Sequence, residues 1–144
     1  MITRFGVVLG PNGGALRELE RLTRSFLGGP ISGGKQWFSW IHREDLVAAE
    51  LFLLDSKQLE GVFNVCSPNP LRQGMFSKIL GKVLGKPAIV PTPGFAVRLA
   101  LGEAADFVLF SQRMYPKRLQ EEGFNWRFPS AEDALSAIYA PIPV

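Results

Sequence analysis

Three polar residues, Ser39, His42 and Asp45, are close enough in the sequence to suggest a nucleophile, a base and an acid. All three fall within two helical turns, and no Gly-x-Ser-x-Gly turn, which exposes a nucleophilic serine above a sheet, precedes them. In the alternative interpretation His42 ends a strand and Asp45, an acid at the helix N-terminus, caps the next helix. The pattern favours this structural interpretation over a catalytic triad.

The residues that usually carry nicotinamide chemistry are missing. Tyr115 and Tyr139 are the only tyrosines, and neither is followed four residues later by the lysine that would lower its pKa for acid/base work. The glycine-rich turn 10–14 lies between a predicted strand and a predicted helix, but its spacing matches neither a dinucleotide-binding turn nor a phosphate loop. The helix start there could bind a phosphate oxygen, and a plain turn is the other interpretation.

Aromatic and cationic residues are the remaining candidates for ligand contacts. Lys35 and Gln36 precede an aromatic cluster formed by Trp37, Phe38 and Trp40. Aromatic faces beside amide and ammonium groups could stack a base or a sugar, and the alternation of Phe38 with Trp40 is equally typical of a core strand. Three arginines are candidates for pairing with phosphate, although each alone is also typical of a solvated surface residue: Arg4, Arg72 and Arg113.

Composition limits the class of protein. The chain has 144 residues, 47% hydrophobic and 20% charged, which is typical of one globular domain. Its net charge of +3 is scattered, and no basic stripe indicates nucleic-acid binding. One cysteine and one histidine exclude a disulfide scaffold and argue against a Cys/His zinc site, so we expect a reducing, cytoplasmic location. No apolar run reaches about 18 residues, so we expect no membrane span.

Hydrophobic periodicity predicts alternating strands and helices. The predicted strands cover 5–9, 62–66 and 88–90, and 35–42 is an extended segment that enters a helix. The predicted helices cover 15–27, 46–54, 75–84 and 95–110, the second mostly buried and the last broken near Gly102. A short helix opened by Pro116 and a final helix starting at Ser130 follow, and the tail 140–144 should be loose.

This alternation predicts an α/β fold with mainly parallel strands. The first strand is apolar on both faces and therefore needs neighbours on both sides, which three short strands cannot easily supply. The sequence thus looks like the back half of a larger fold. It should expose a sheet edge at 5–9, which predicts self-association or pairing with a partner chain.

Four stretches carry a family resemblance. They are 4–11 with Gly13-Gly14, 33–42 with Asp45-Leu46, 61–65 with 68–70, and 116–119 with 123–124. The chain resembles the C-terminal half of an extended short-chain dehydrogenase/reductase. More narrowly, it resembles the nucleoside-diphosphate-sugar epimerase-like family that ends in a small domain of unassigned role and is sometimes labelled cell-division-inhibitor-like.

The resemblance implies the C-terminal part of a Rossmann-type fold. Residues 1–90 would belong to an NAD(P)-dependent epimerase/dehydratase-like domain, and 91–140 would form a small, mostly helical domain. NAD or NADP would bind mainly to the N-terminal half of the parent, and we expect none to bind tightly to this chain alone. Gly6 and Val7 would contact the cofactor. The substrate would contact Arg4, Lys35, Gln36, Trp37, Trp40 and Asn64.

The chain departs from the family pattern at two polar positions. Many sugar-nucleotide epimerases have Phe-Asn where this chain has Gly6-Val7, and a common arginine is replaced by Phe38 or Ser39. The aromatic lining therefore implies a less polar or a stacked ligand.

Two functions follow as expectations. In the first, the chain is the substrate-side half of an NAD(P)-dependent epimerase- or reductase-like protein, acts on a small molecule such as a nucleotide sugar, and is inactive alone. In the second, it is a stand-alone binding or regulatory module, either a split-enzyme subunit or a division-related interaction protein.

Overall fold

Two short strands separated by one glycine form the start of the chain. In the computed structural model, which describes residues 1–140, strand β1 (Ile2–Phe5) and strand β2 (Val7–Leu9) replace the single predicted strand 5–9. β1 pairs in parallel with β5 (Val62–Val65), and β2 pairs in parallel with β4 (Trp40–His42). The chain therefore changes its pairing partner at Gly6, where the N–H of Gly6 still donates to Val65 O at 3.3 Å and that of Val7 donates to Ser39 O at 2.8 Å.

The remaining strand pair is short and antiparallel. Strand β3 (Trp37–Phe38) pairs with β6 (Leu71–Arg72), which the sequence analysis did not predict. The N–H of Ser67 donates to Trp40 O at 2.7 Å, so the segment after β5 also lies beside β4. The expected α/β architecture with few, mainly parallel strands is confirmed.

Seven α-helices and one short 3-10 helix accompany the strands in the described residues. The α-helices are α1 (Gly14–Arg24), α2 (Arg43–Asp55), α3 (Gln73–Leu84), α4 (Gly94–Leu101), α5 (Asp106–Leu109), α6 (Lys117–Glu121) and α7 (Ala131–Ile138). The 3-10 helix Gly102–Ala105 separates α4 from α5, which confirms the predicted break near Gly102. Ser130 Oγ accepts a hydrogen bond from the N–H of Asp133 at 3.2 Å, which confirms the predicted cap of the last helix. The last part of the predicted loose tail, 141–144, lies outside the described residues.

The predicted strand 88–90 is wrong. That segment forms no strand, and nearby only an isolated parallel bridge joins Ile31 to Thr92. Pro87, Pro91 and Pro93 flank the short apolar run, and proline lacks the N–H that a ladder needs.

The prediction that helix α2 is mostly buried is also wrong. Only Asp45, Ala49 and Leu53 of this helix are buried. Val47, Leu51 and Leu54 are 56–72% exposed. Apolar residues all round a helix showed that it could be buried, but not whether enough neighbouring surface exists to cover each face.

Two hydrophobic clusters hold the elements together. The larger cluster joins β2 and the 37–40 region to helices α1, α3 and α7, with Leu9, Phe38, Trp40, Phe76 and Leu135 at its centre. The smaller cluster packs α2 and α6 against β4 and β5 through Ile41, Leu53, Phe63, Val65 and Leu119. No helix among the described residues is long and apolar enough to cross a membrane.

Candidate substrate cleft

A cleft with two adjoining chambers runs beside the break between β1 and β2. The smaller chamber has a volume of about 230 Å³ and the larger about 520 Å³. Both chambers are lined by the same six residues: Phe5, Gly6, Val7, Phe107, Gln112 and Met114. The smaller chamber adds Trp37, Ser39, Asp106 and Phe110, and the larger adds Thr3, Arg4, Val8, Gly14 and Ala15.

Close backbone packing at Gly6 shapes the floor of the cleft. A Cβ atom added there would lie 2.7 Å from Ser39 O and 2.9 Å from Trp40 N, both backbone atoms that cannot rotate away. Glycine therefore lets the chain leave β5 and pair with β4 within one residue. Glycine is required at this position because a side chain would clash, and not because the backbone adopts an unusual angle.

Ser39 attaches the strands to the far wall of the cleft, which consists of Phe107, Phe110, Gln112 and Met114. Its Oγ donates to Gln112 O at 2.7 Å and accepts from the N–H of Met114 at 2.9 Å. The neighbouring backbone N–H of Trp37 donates to Ser111 Oγ at 3.1 Å. These bonds fix the segment 111–114 across the cleft, and they use both hydrogen-bonding roles of the Ser39 hydroxyl.

Two arginines contact the ring of Trp37, a residue that lines the smaller chamber. The guanidinium carbon of Arg72 lies 3.9 Å from the Trp37 ring centroid, and that of Arg113 lies 4.5 Å from it. Arg72 Nη1 also donates to Lys35 O at 2.7 Å. The structure therefore brings together two of the three arginines that the sequence marked as candidates for phosphate pairing.

The predicted site residues divide into two groups. Gly6, Val7, Arg4 and Trp37 line the cleft. The second group, Lys35, Gln36, Trp40 and Asn64, is absent from its walls, although Lys35 is exposed near Trp37.

The side chains of the second group have structural contacts instead. Trp40 is fully buried and its Nε1 donates to Asn69 O, whereas Trp37 is only half-buried, so the aromatic cluster supplies both the core and the cleft. The Gln36 amide donates to Ile31 O and Val108 O at 3.0 and 2.9 Å. Asn64 Nδ2 donates to Tyr115 O at 3.3 Å.

His42 and Asp45 form no triad with Ser39. His42 caps helix α2 by accepting a hydrogen bond from the N–H of Glu44 at Nδ1, and burial lowers its pKa from the usual 6.5. The Asp45 carboxylate instead accepts from the backbone N–H groups of Arg127 and Phe128 at 2.7 and 2.8 Å. These contacts agree with the structural interpretation, except that His42 and not Asp45 is the cap.

None of the predicted site residues belongs to the wall of the cleft formed by Phe107, Phe110, Gln112 and Met114. Phe107, Phe110, Gln112 and Met114 reach it because the polar contacts of Ser39 connect residues more than 70 positions apart. A single sequence shows the apolar character of 95–110 but not which of its side chains face a cavity. Within the described residues, no three His, Cys, Asp or Glu side chains are grouped to hold a metal ion.

Curated relatives of this chain are named epimerase family proteins. The chloroplastic SDR39U1 homolog of Arabidopsis thaliana is 44% identical over 137 residues, which are 95% of this chain and 40% of that protein. An epimerase family protein of Staphylococcus aureus is 37% identical over 135 residues, 94% of this chain and 45% of that protein. The chain thus spans less than half the length of either relative.

The solved structures show the same class. The structure of human epimerase family protein SDR39U1 with NADPH superposes with a TM-score of 0.87 at 34% identity, over 97% of this chain and 48% of that chain. The fold is therefore that of a Rossmann-type short-chain dehydrogenase/reductase. Within this class, the chain matches the C-terminal half of an extended, epimerase-like member. A domain of unknown function, DUF1731, matches residues 92–138.

Proposed function

We propose that this chain is the substrate-side half of an NAD(P)-dependent epimerase- or reductase-like protein and that it is catalytically inactive alone. The cleft beside Gly6 carries the proposal. It begins where β1 ends, and ligands of open α/β sheets bind outside the carboxyl ends of the strands. Its two chambers meet at Phe5, Gly6 and Val7, so one chamber can hold a substrate while the other faces a cofactor.

The described residues do not themselves form a dinucleotide site. The turn between β2 and α1 lacks the G-x-G-x-x-G spacing, and no tyrosine with a lysine four residues later is present. We therefore assign no hydride or proton transfer to this chain. Its residues bind and orient the substrate, and Gly6 and Val7 provide the backbone against which a nicotinamide ring would lie.

A free strand edge supports the incomplete-enzyme interpretation. In the described residues β1 pairs with β5 alone, which leaves its other edge without a strand neighbour. Ile2 and Phe5 are 60% and 53% exposed along this strand. An unpaired edge of this kind accepts another strand, and we propose that the cofactor-binding half supplies it.

The structural relative supports the proposed cofactor. The human SDR39U1 structure contains NADPH, and this chain matches about half of it at 34% identity. We therefore propose that the full-length parent protein binds NAD or NADP, mainly through residues that this chain does not contain.

The mass of the native protein tests the proposal first. A serum raised against this segment should detect, in the protein's own cells, a band of about twice 15.9 kDa. That native protein should bind NADPH or NADH, measured by the fluorescence of the reduced nicotinamide, whereas the purified 144-residue chain should not.

A band at 15.9 kDa would refute the proposal. The stand-alone binding module would then be the better interpretation, and the partner of the free β1 edge would be sought by size-exclusion chromatography. Binding of NADPH or NADH by the isolated 144-residue chain would also contradict the proposal. The chain would then contain a cofactor site of its own and would not be only the substrate-binding half.

A further inference from the structure

The smaller chamber is lined mostly by apolar side chains, and one of its lining residues, Trp37, also contacts two arginines. Phe107 and Phe110 are 66% and 62% exposed although both are large apolar side chains. They face a space of about 230 Å³ together with Val7 and Met114. A cavity of about 150 Å³ is enough to bind benzene, so this chamber has room for a bicyclic or branched apolar group.

Trp37, which lines the smaller chamber, is in contact with two positively charged side chains. Arg72 and Arg113 both contact the Trp37 ring, and neither forms an ion pair with a carboxylate of the described residues. Because neither guanidinium is neutralised by such a carboxylate, an anion that contacts either one would gain a charge-assisted hydrogen bond. Lys35, two residues before Trp37, is exposed, and its backbone oxygen accepts the hydrogen bond from Arg72.

The one carboxylate of the chamber does not cancel this charge. Asp106 lines the wall, but its Oδ1 is 3.0 Å from Nη1 of Arg98, which neutralises it locally. By contrast, Arg72 donates one hydrogen bond, from Nη1 to the backbone oxygen of Lys35, and its other N–H groups remain available to a ligand. Guanidinium donors in this state suit the paired oxygens of a phosphate or a carboxylate.

We propose that Trp37, Arg72 and Arg113 form the anion-binding end of the substrate cleft, and that the substrate is an apolar group bearing a phosphate or carboxylate. This inference rests on the proposed function, because it names the substrate class of the same cleft. The anionic group lies against the two guanidiniums, and the apolar group lies between Phe107, Phe110 and Met114.

Four small probes test the proposal on the 144-residue chain. The probes are 1-naphthyl phosphate, 1-naphthoate, neutral 1-naphthol and inorganic phosphate. Binding is followed through the indole N–H resonance of Trp37 in ¹⁵N spectra, assigned with Trp37→Phe. The indole N–H groups of Trp40 and Trp126 donate to Asn69 O and Cys66 O inside the fold, so their resonances report whether the protein stays folded.

We expect both anionic naphthyl probes to shift the Trp37 resonance and to bind about tenfold more tightly than naphthol or inorganic phosphate. Tighter binding of the naphthyl phosphate would assign a phosphoryl group, and tighter binding of the naphthoate a carboxylate. The double variant Arg72→Gln/Arg113→Gln should remove this tenfold advantage. Arg17→Gln, which changes an exposed arginine on α1, is the matched control and should leave it intact.

Several results would overturn the inference. Equal binding of naphthol and the naphthyl phosphate would exclude anion recognition, and equal binding of inorganic phosphate would exclude the apolar group. If the double variant does not fold, the single variants Arg72→Gln and Arg113→Gln decide, since each should reduce the advantage of the anionic probes whereas Arg17→Gln should not. None of these results changes the native mass or the cofactor binding, so failure here is distinguishable from failure of the proposed function.

Discussion

The carboxylate of Asp45 is expected to hold the segment after helix α6 onto helix α2. Asp45 is 1% exposed and accepts the N–H groups of Arg127 and Phe128 at 2.7 and 2.8 Å. Asp45→Asn keeps the shape but places an amide NH₂ against a backbone N–H. Hydrogen bonds to a charged group contribute about 1.5–3 kcal/mol each. Losing one and weakening the other should lower the free energy of unfolding by about 2–4 kcal/mol.

Glu44 provides a matched control beside Asp45. Its carboxylate pairs with the Arg127 guanidinium at 2.8 Å, but the two side chains are 46% and 73% exposed. Such a pair contributes about 0–1 kcal/mol, so Glu44→Gln should cost less than Asp45→Asn. Urea unfolding followed by tryptophan fluorescence and far-UV circular dichroism measures both variants. An Asp45→Asn protein within about 0.5 kcal/mol of the parent, or equal losses in both variants, would refute this reasoning.

Three further predictions follow from local contacts. Gly6→Ala should lower the free energy of unfolding by about 1–3 kcal/mol through its clash with Ser39, whereas Gly94→Ala, with no contact below 3.5 Å, should not destabilise. Because burial lowers the pKa of His42 below 6.5, the unfolded chain binds more protons. Stability should therefore fall as the pH drops through 6.5, and His42→Asn should flatten that profile in urea titrations. Burial raises the pKa of the Cys66 thiol to about 12, so a disulfide-exchange reagent at pH 8 should label it only after unfolding.

Sequence periodicity predicted those elements whose signals are local. The Ser130 cap and the Gly102 break depend on residues within a few positions, and both are present. The pairing change at Gly6 depends on Ser39, which lies 33 residues further along the chain. The strand predicted at 88–90 does not form. Its apolar residues favoured a strand, but the neighbouring prolines lack the backbone N–H groups that strand pairing needs.

The residues of the candidate site were harder to predict from the sequence than the helices and strands, because their positions depend on long-range packing. Trp37 and Trp40 have similar sequence surroundings, but one lines the cleft and the other is fully buried. Arg72 and Arg113 each look like solvated surface residues until the fold places both against one indole ring. Residue type identified these side chains as candidates, and only the long-range packing decided which of them share a cavity.

The segment matched by DUF1731 contributes directly to the cleft. It supplies Phe107, Phe110 and Met114 to the walls, and its neighbourhood is bound to the strand region through Ser39, Gln36 and the Trp37 backbone. These three attachments are adjacent in sequence, so residues 36–39 form one support for the whole far wall. A change in that support should therefore move Phe107, Phe110 and Met114 together, because their segment is attached at three neighbouring positions.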